Sequence, residues 1–336
     1  MKRNTDLDFI RAILIVLMIL IHIVSFGNAY PQLKAGILSF MMPTFLIITG
    51  YLVNIEKTGR QMGNYLKCLA LPYVIMVTGF SVLSYYMPVR DGITELSLSQ
   101  IGEKIFVTSI GPYWFIQTMI ICGTLYYFCF SGRNWNDLRR NYTKRDTYAS
   151  LFVFAVTLLL ISETPALSAS AAAYYFIGVV IRQSKTEWNK LFRHEFFAII
   201  LWIYLLNHDD WYDWGSLAIV FSCWCCISTL LLLQHLLDAP ERFKDISPKI
   251  GKVAKVTNRI KDTLLYIGRN TLPIYLFHPI FTMAAKFYHP LFSWDPSEIS
   301  FALFTMILAI LGSIAIARIM EKTKLAYLFG KGKILR

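Results

Sequence analysis

The sequence predicts an all-α, polytopic integral membrane protein of about ten transmembrane helices with both termini cytoplasmic. Three observations carry this prediction. Of 336 residues, 56% are hydrophobic and only 16% charged, whereas soluble domains carry roughly a quarter charged residues. The apolar residues fall in repeated runs near the roughly 20 residues needed to cross a bilayer, and Lys and Arg alternate between rich and poor loops in step with those runs. Together with a mean hydropathy of +0.49, this composition excludes an ordinary soluble enzyme.

The first run, 7–27, follows Lys2 and Arg3 as a signal peptide would. At about 20 residues it is too long for a cleaved apolar region, so it stays as the first helix. Thr5 and Asp8 form a plausible capping box at its start, with Asp in place of the usual Glu or Gln. Further runs follow at 35–54, 66–87, 110–130, 148–162, 166–183, 195–207, 213–236, 264–286 and 299–318. The fifth and seventh are short and read as tilted or broken helices. No internal repeat and no inverted pair of Gly/Pro-broken segments marks a transporter. The stretches 88–109 and 237–263 are too short to fold separately. A single membrane-embedded domain over 1–336 is therefore expected to perform any chemistry.

Charge gives an independent check on this register. With both termini inside, the outer loops hold Lys34, Arg90, Lys104 and Lys286, while 27 basic residues fall on inner segments. Seven of those lie between Arg242 and Lys261, six from Arg318 to Arg336, and others include Arg133, Arg139, Arg140, Lys144 and Arg145 in one loop. Only Arg11 and Arg269 lie at helix beginnings. The net charge of +12 is thus mostly topological. It gives no support to a nucleic-acid partner, and the partners it does favour are anionic membrane lipids.

Cys68, Cys122, Cys129, Cys223, Cys225 and Cys226 all lie inside apolar runs and are expected to be free thiols. No second cysteine or histidine pair completes a metal site at a recognisable interval, so no metal is expected.

An ionisable side chain within a membrane helix costs at least a few kcal/mol and marks a functional candidate. His22 lies ten apolar residues beyond Arg11 in the first helix. Eleven positions make three turns plus about 20°, which places both on one face, roughly 16 Å apart along the axis. His278 lies in LPIYLFHPI of the ninth helix, flanked by Pro273 and Pro279, at nearly the depth of His22. Each has a structural alternative. His22 would simply bond a neighbouring helix, and His278 would satisfy a carbonyl freed by proline. Arg11 would be an interfacial anchor paired with Asp8. His194, His208, His235 and His289 fall in loops or at helix ends.

These residues carry a resemblance. LDFIRA, with Arg11 and His22 separated by ten apolar residues, is similar to the first-helix signature of the membrane-bound acyltransferase-3 family. PTFLIITGYL (43–52), YLKCLALPY (65–73), PYWFI (112–116), YYFIGVVI (174–181) and IGRNTLPIYLFHPI (267–280) resemble further family segments in the expected order. Thr49, Tyr113 and Lys67 depart from the usual residues. The last block looks closest to the stand-alone sugar O-acetylases related to fucose 4-O-acetylase, and no fused extracytoplasmic SGNH domain is expected.

The resemblance implies a CoA-dependent O-acyltransferase of the cytoplasmic membrane that moves an acyl group, commonly acetyl, to a hydroxyl of a cell-surface sugar or lipid-linked glycan. Acetyl-CoA is then a co-substrate rather than a bound cofactor. His22 would act as general base, and Arg11, Lys67 and Arg269 would meet the CoA phosphates. His278, Gln117 or Asn270 would stabilise the oxyanion, and Trp114 and Glu163 would contact the sugar; the structural alternatives are an interfacial anchor for Trp114 and a solvated helix end for Glu163. A membrane transporter or exporter is the rival reading, but it calls for acidic intramembrane partners, and the helices carry almost no Asp or Glu away from their ends.

Overall fold

The computed structural model of the chain describes residues 4–87, 89, 91–130, 144–193 and 195–336. Arg90, Arg133, Arg139, Arg140 and His194 lie outside them. Every regular element among the described residues is a helix.

The chain opens with α1 (Thr5–Ile21), α2 (Val24–Ala29) and α3 (Pro31–Leu52). The expected first helix over 7–27 is therefore interrupted at His22 and Ile23. Asn4 caps α1, its Oδ1 accepting from the Asp6 amide at 2.9 Å. Asn is among the strongest N-cap residues, so Asn4 takes the role expected of Thr5 and leaves Asp8 to face Arg11. A complete capping box stands instead at α4 (Gly59–Tyr86), where Thr58 and Gln61 each bond the other's backbone amide, at 3.3 and 3.1 Å.

The short α5 (Leu98–Glu103), α6 (Trp114–Phe130), α7 (Lys144–Ser162), α8 (Ala169–Gln183) and α9 (Trp188–Leu191) follow. Then come α10 (Phe196–Leu206), α11 (Leu217–Arg242), α12 (Pro248–Arg269), α13 (Thr271–Tyr288) and α14 (Ile299–Lys322). The expected ninth helix over 264–286 divides at Asn270, and Arg269 ends a helix rather than beginning one. The cause is α12, which reaches back through a Lys-rich segment because Ala254 and Leu265 give it a buried face. An amphipathic helix of this kind lacks a continuous apolar run.

Among the described residues, five helices are long and apolar enough to cross a membrane: Pro31–Leu52, Gly59–Tyr86, Gly111–Phe130, Leu217–Arg242 and Ile299–Lys322. Asp146–Ser162 and Phe196–Leu206 are apolar but shorter. The chain is an all-α integral membrane protein.

Two compact units divide the chain. The first comprises Met1–Phe45, Thr186–Ile319 and Leu335–Arg336. Its centre is α1, packed against α11, α12 and α13, with Phe9, Ile10, Leu14, Ile15, Met18 and Ile19 buried. Inside a membrane, burial of apolar surface drives little helix association, and close backbone approach matters more. Gly268 provides it: a Cβ there would fall 1.7 Å from the Asp8 carbonyl oxygen, so α12 and α1 touch backbone to backbone. Lys261 Nζ donates to both carboxylate oxygens of Asp238 at 2.5 and 2.7 Å, tying α12 to α11. Trp202 donates to Ser222 at 3.0 Å and ties α10 to α11.

The second unit comprises Leu46–Lys185 and Met320–Ile334. Cys122, Tyr126, Phe154, Tyr175 and Val179 form the centre of its core, and Gln183 donates to the Tyr126 hydroxyl at 2.5 Å. A Cβ on Gly178 would meet the Ile47 carbonyl oxygen at 2.1 Å, so close packing of α8 on the end of α3 explains the glycine of YYFIGVVI. All six cysteines are free.

Candidate active site

The break at the end of α1 is where His22 acquires its geometry. Its backbone amide turns to Ile19 O at 3.1 Å, which leaves Met18 O, the ordinary helical acceptor, without that partner. The imidazole takes it instead, with Nδ1 2.7 Å from Met18 O. A carbonyl only accepts, so Nδ1 carries the proton and Nε2 presents its lone pair.

His278 reaches the same tautomer by a different route. In α13 the carbonyl of Tyr275 would receive the amide of residue 279, but that residue is Pro279 and has none. His278 Nδ1 lies 2.8 Å from Tyr275 O and fills the gap. The proline-linked structural role is thus real, and it occupies only one of the two ring nitrogens. The other, Nε2, is fully buried and has no hydrogen-bond partner, which in a native interior calls for an explanation.

The two histidines meet. Their ring centroids are 5.3 Å apart with planes at 73°, an edge-to-face contact. A second contact between the same two helices lies at their other ends, where Arg11 Nη2 donates to the Thr271 hydroxyl. Arg11 pairs with Thr271 and His22 with His278, so α1 and α13 run side by side in one sense. Asp8, buried, lies with Oδ1 3.7 Å from Arg11 Nη1.

Asn270, in the break between α12 and α13, is fully buried. Its Nδ2 donates to Tyr266 O at 2.9 Å and to Arg336 O at 3.3 Å, and its Oδ1 accepts from the Arg336 amide at 2.8 Å. Both amide protons are engaged, so Asn270 serves the backbone rather than an oxyanion. Beside it, Arg269 Nε is buried and unpartnered.

Lys67, Trp114, Gln117 and Glu163 belong to the second unit. Lys67 is exposed on α4, and Glu163 is exposed in the turn after α7. Trp114 opens α6 directly after a 3₁₀ turn at Gly111–Tyr113. Gln117 is buried and donates to Val107 O at 3.2 Å.

Thr271 is the site residue not singled out from sequence. Its signal was the Ser/Thr position of IGRNTLPIYLFHPI, two residues after Arg269. The wider comparison is decisive on kinship, because the family model described as an acyltransferase domain, acyltransferase-3, matches residues 4–318. The chain belongs to the membrane acyltransferase-3 family. No curated protein and no solved structure matches it. The match takes in every site residue of this acyltransferase named above except Arg336, and the paired histidines stand near the two ends of the matched segment.

Proposed function

We propose that this acyltransferase moves an acyl group, acetyl in the first instance, from acyl-CoA to a hydroxyl of a cell-surface sugar or lipid-linked glycan. The observation that carries the proposal is the His22–His278 pair, in which both Nδ1 atoms are committed to carbonyls and both Nε2 lone pairs remain. Two adjacent bases of fixed tautomer suit removal of a proton from a poor nucleophile, a role worth about 10² to 10⁴ in rate.

In the proposed reaction His22 Nε2 takes the proton of the acceptor hydroxyl as its oxygen bonds to the thioester carbonyl carbon. The tetrahedral oxyanion then collapses, the C–S bond breaks, and the thiolate leaves with the proton held on His22. His278 Nε2, an acceptor while the ring is neutral, does not bond the oxyanion and is assigned to a second hydroxyl of the acceptor sugar. Arg11 and Arg269 meet the CoA phosphates from the cytoplasmic side.

The test uses purified protein, radiolabelled acetyl-CoA and a panel of sugars and glycolipids. Thiol release that depends on one acceptor is the expected result. His22→Ala is expected to lower turnover at least about 100-fold at unchanged membrane abundance, and retained turnover would refute the base assignment.

A further inference from the structure

Along α12, beside the end of α11, lies an open groove of about 670 Å³ that none of the assignments above uses. It is a built feature rather than a gap between loose segments. Asn258 Nδ2 donates to Glu241 Oε2 at 2.8 Å, and Lys244 Nζ to Glu241 Oε1 at 2.6 Å. The Glu241 carboxylate also holds the Lys244 ammonium above its ordinary pKa, so those two charges answer each other. Lys255 and Arg259 also line the groove. Both are exposed, and neither has an ion-pair or hydrogen-bond partner for its side chain among the described residues. Asp262 is the one other carboxylate of the lining.

Helical register joins this groove to the site. Lys255, Arg259, Tyr266 and Arg269 fall within about 80° of arc on α12, over roughly 21 Å of rise. The stripe starts with two unpaired cations, passes an aromatic ring that lines the groove, and ends at the buried, unpartnered Arg269 Nε. One residue further on, Asn270 and Thr271 lead to Arg11 and the histidines. Two cations and an aromatic ring in one groove are the groups that a phosphorylated adenosine would meet.

We infer that this groove binds the 3′-phosphoadenosine end of the acyl donor, with Lys255 and Arg259 on the 3′-phosphate and Tyr266 against the adenine. The inference rests on the reading of an acyl-CoA donor. It leaves Arg269 and Arg11 to the diphosphate, and it aims the thioester arm along α12 and α13 toward His22.

The test compares acetyl-CoA with its 3′-dephospho form. The wild-type protein is expected to prefer acetyl-CoA by about tenfold or more in kcat/KM. In the Lys255→Ala, Arg259→Ala double variant the preference falls to within about twofold. Lys190→Ala, which removes a surface cation paired with Glu187 at 3.3 Å, keeps it. An unchanged preference in the double variant would overturn the groove assignment while leaving the donor reading intact. Direct binding of adenosine 3′,5′-bisphosphate separates the two ideas. If the protein binds it and the double variant does not, the groove stands even where no acetyl-CoA turnover is found. If the wild type does not bind it, the inference fails.

Discussion

Arg11 and Thr271 stand 260 positions apart in the chain and are joined by a hydrogen bond from the guanidinium Nη2 to the threonine Oγ1. A guanidinium has five donors in a rigid fork, so the bond to the threonine hydroxyl, with the Asp8 carboxylate on its other side, helps to fix its orientation. Thr271→Val keeps the branched shape and removes the acceptor. A charge-assisted bond contributes about 1.5–3 kcal/mol, so donor KM should rise about tenfold with kcat nearly unchanged, and Thr271→Ser should restore it. Steady-state kinetics against acetyl-CoA would measure this. Equal KM in the Val and Ser variants would show that Thr271 matters only for packing.

Gly268 should be intolerant of any side chain, because the nearest obstacle to a Cβ is the backbone of Asp8, which cannot rotate away. Overpacking ordinarily costs about 1–3 kcal/mol, and here relief requires α1 and α12 to separate. Gly268→Ala should therefore lose monodisperse protein on heating in detergent at a clearly lower temperature than wild type. Gly63→Ala on α4, where nothing stands within 4 Å, should match or exceed wild type because Ala is the better helix former. Thermal size-exclusion profiles of the two variants provide the measurement, and equal losses would contradict the backbone-contact argument.

What was legible beforehand followed from physics that is local along the chain. The apolar runs mark α3, α4, α6, α11 and α14 because a spanning helix must be apolar over its whole length. His22 and His278 stand out because an imidazole within such a run is costly. Their contact does not follow from that cost, since it depends on how α1 and α13 pack. The division at Asn270 was hidden as well. It arises from α12, whose apolar residues are spaced on one face among lysines, and from an amide that bonds residue 336 across 66 positions. The tautomers of the two rings were readable only in part, through Pro279, which frees a carbonyl one turn back. The matching device at Met18 comes from a backbone turn that no residue type announces.

The turn between α13 and α14 supplies a prediction in pH. Asp295 Oδ1 accepts from the amide and hydroxyl of Ser297 at 2.9 and 2.5 Å, and Oδ2 accepts from the Ser300 amide at 2.8 Å. These bonds hold its carboxyl well below the usual carboxylate range, the Ser297 and Ser300 hydrogen bonds being the cause. A carboxylate with a depressed folded pKa adds stability that is fully present above its unfolded value of about 3.9 and is lost as the pH falls through the folded one. The negative charge also sits just ahead of the N-terminus of α14, where the helix dipole favours it. Asp295→Asn keeps the size but removes the charge and turns one acceptor into a donor facing the Ser300 amide or the Ser297 groups. Wild type should therefore melt at a higher temperature than Asp295→Asn at pH 7, and the difference should shrink steadily once the pH drops below about 4. Melting curves of both proteins across that range would measure it. A difference that stays constant down to strongly acidic pH would assign the effect to the shape of the turn rather than to the ionised carboxylate.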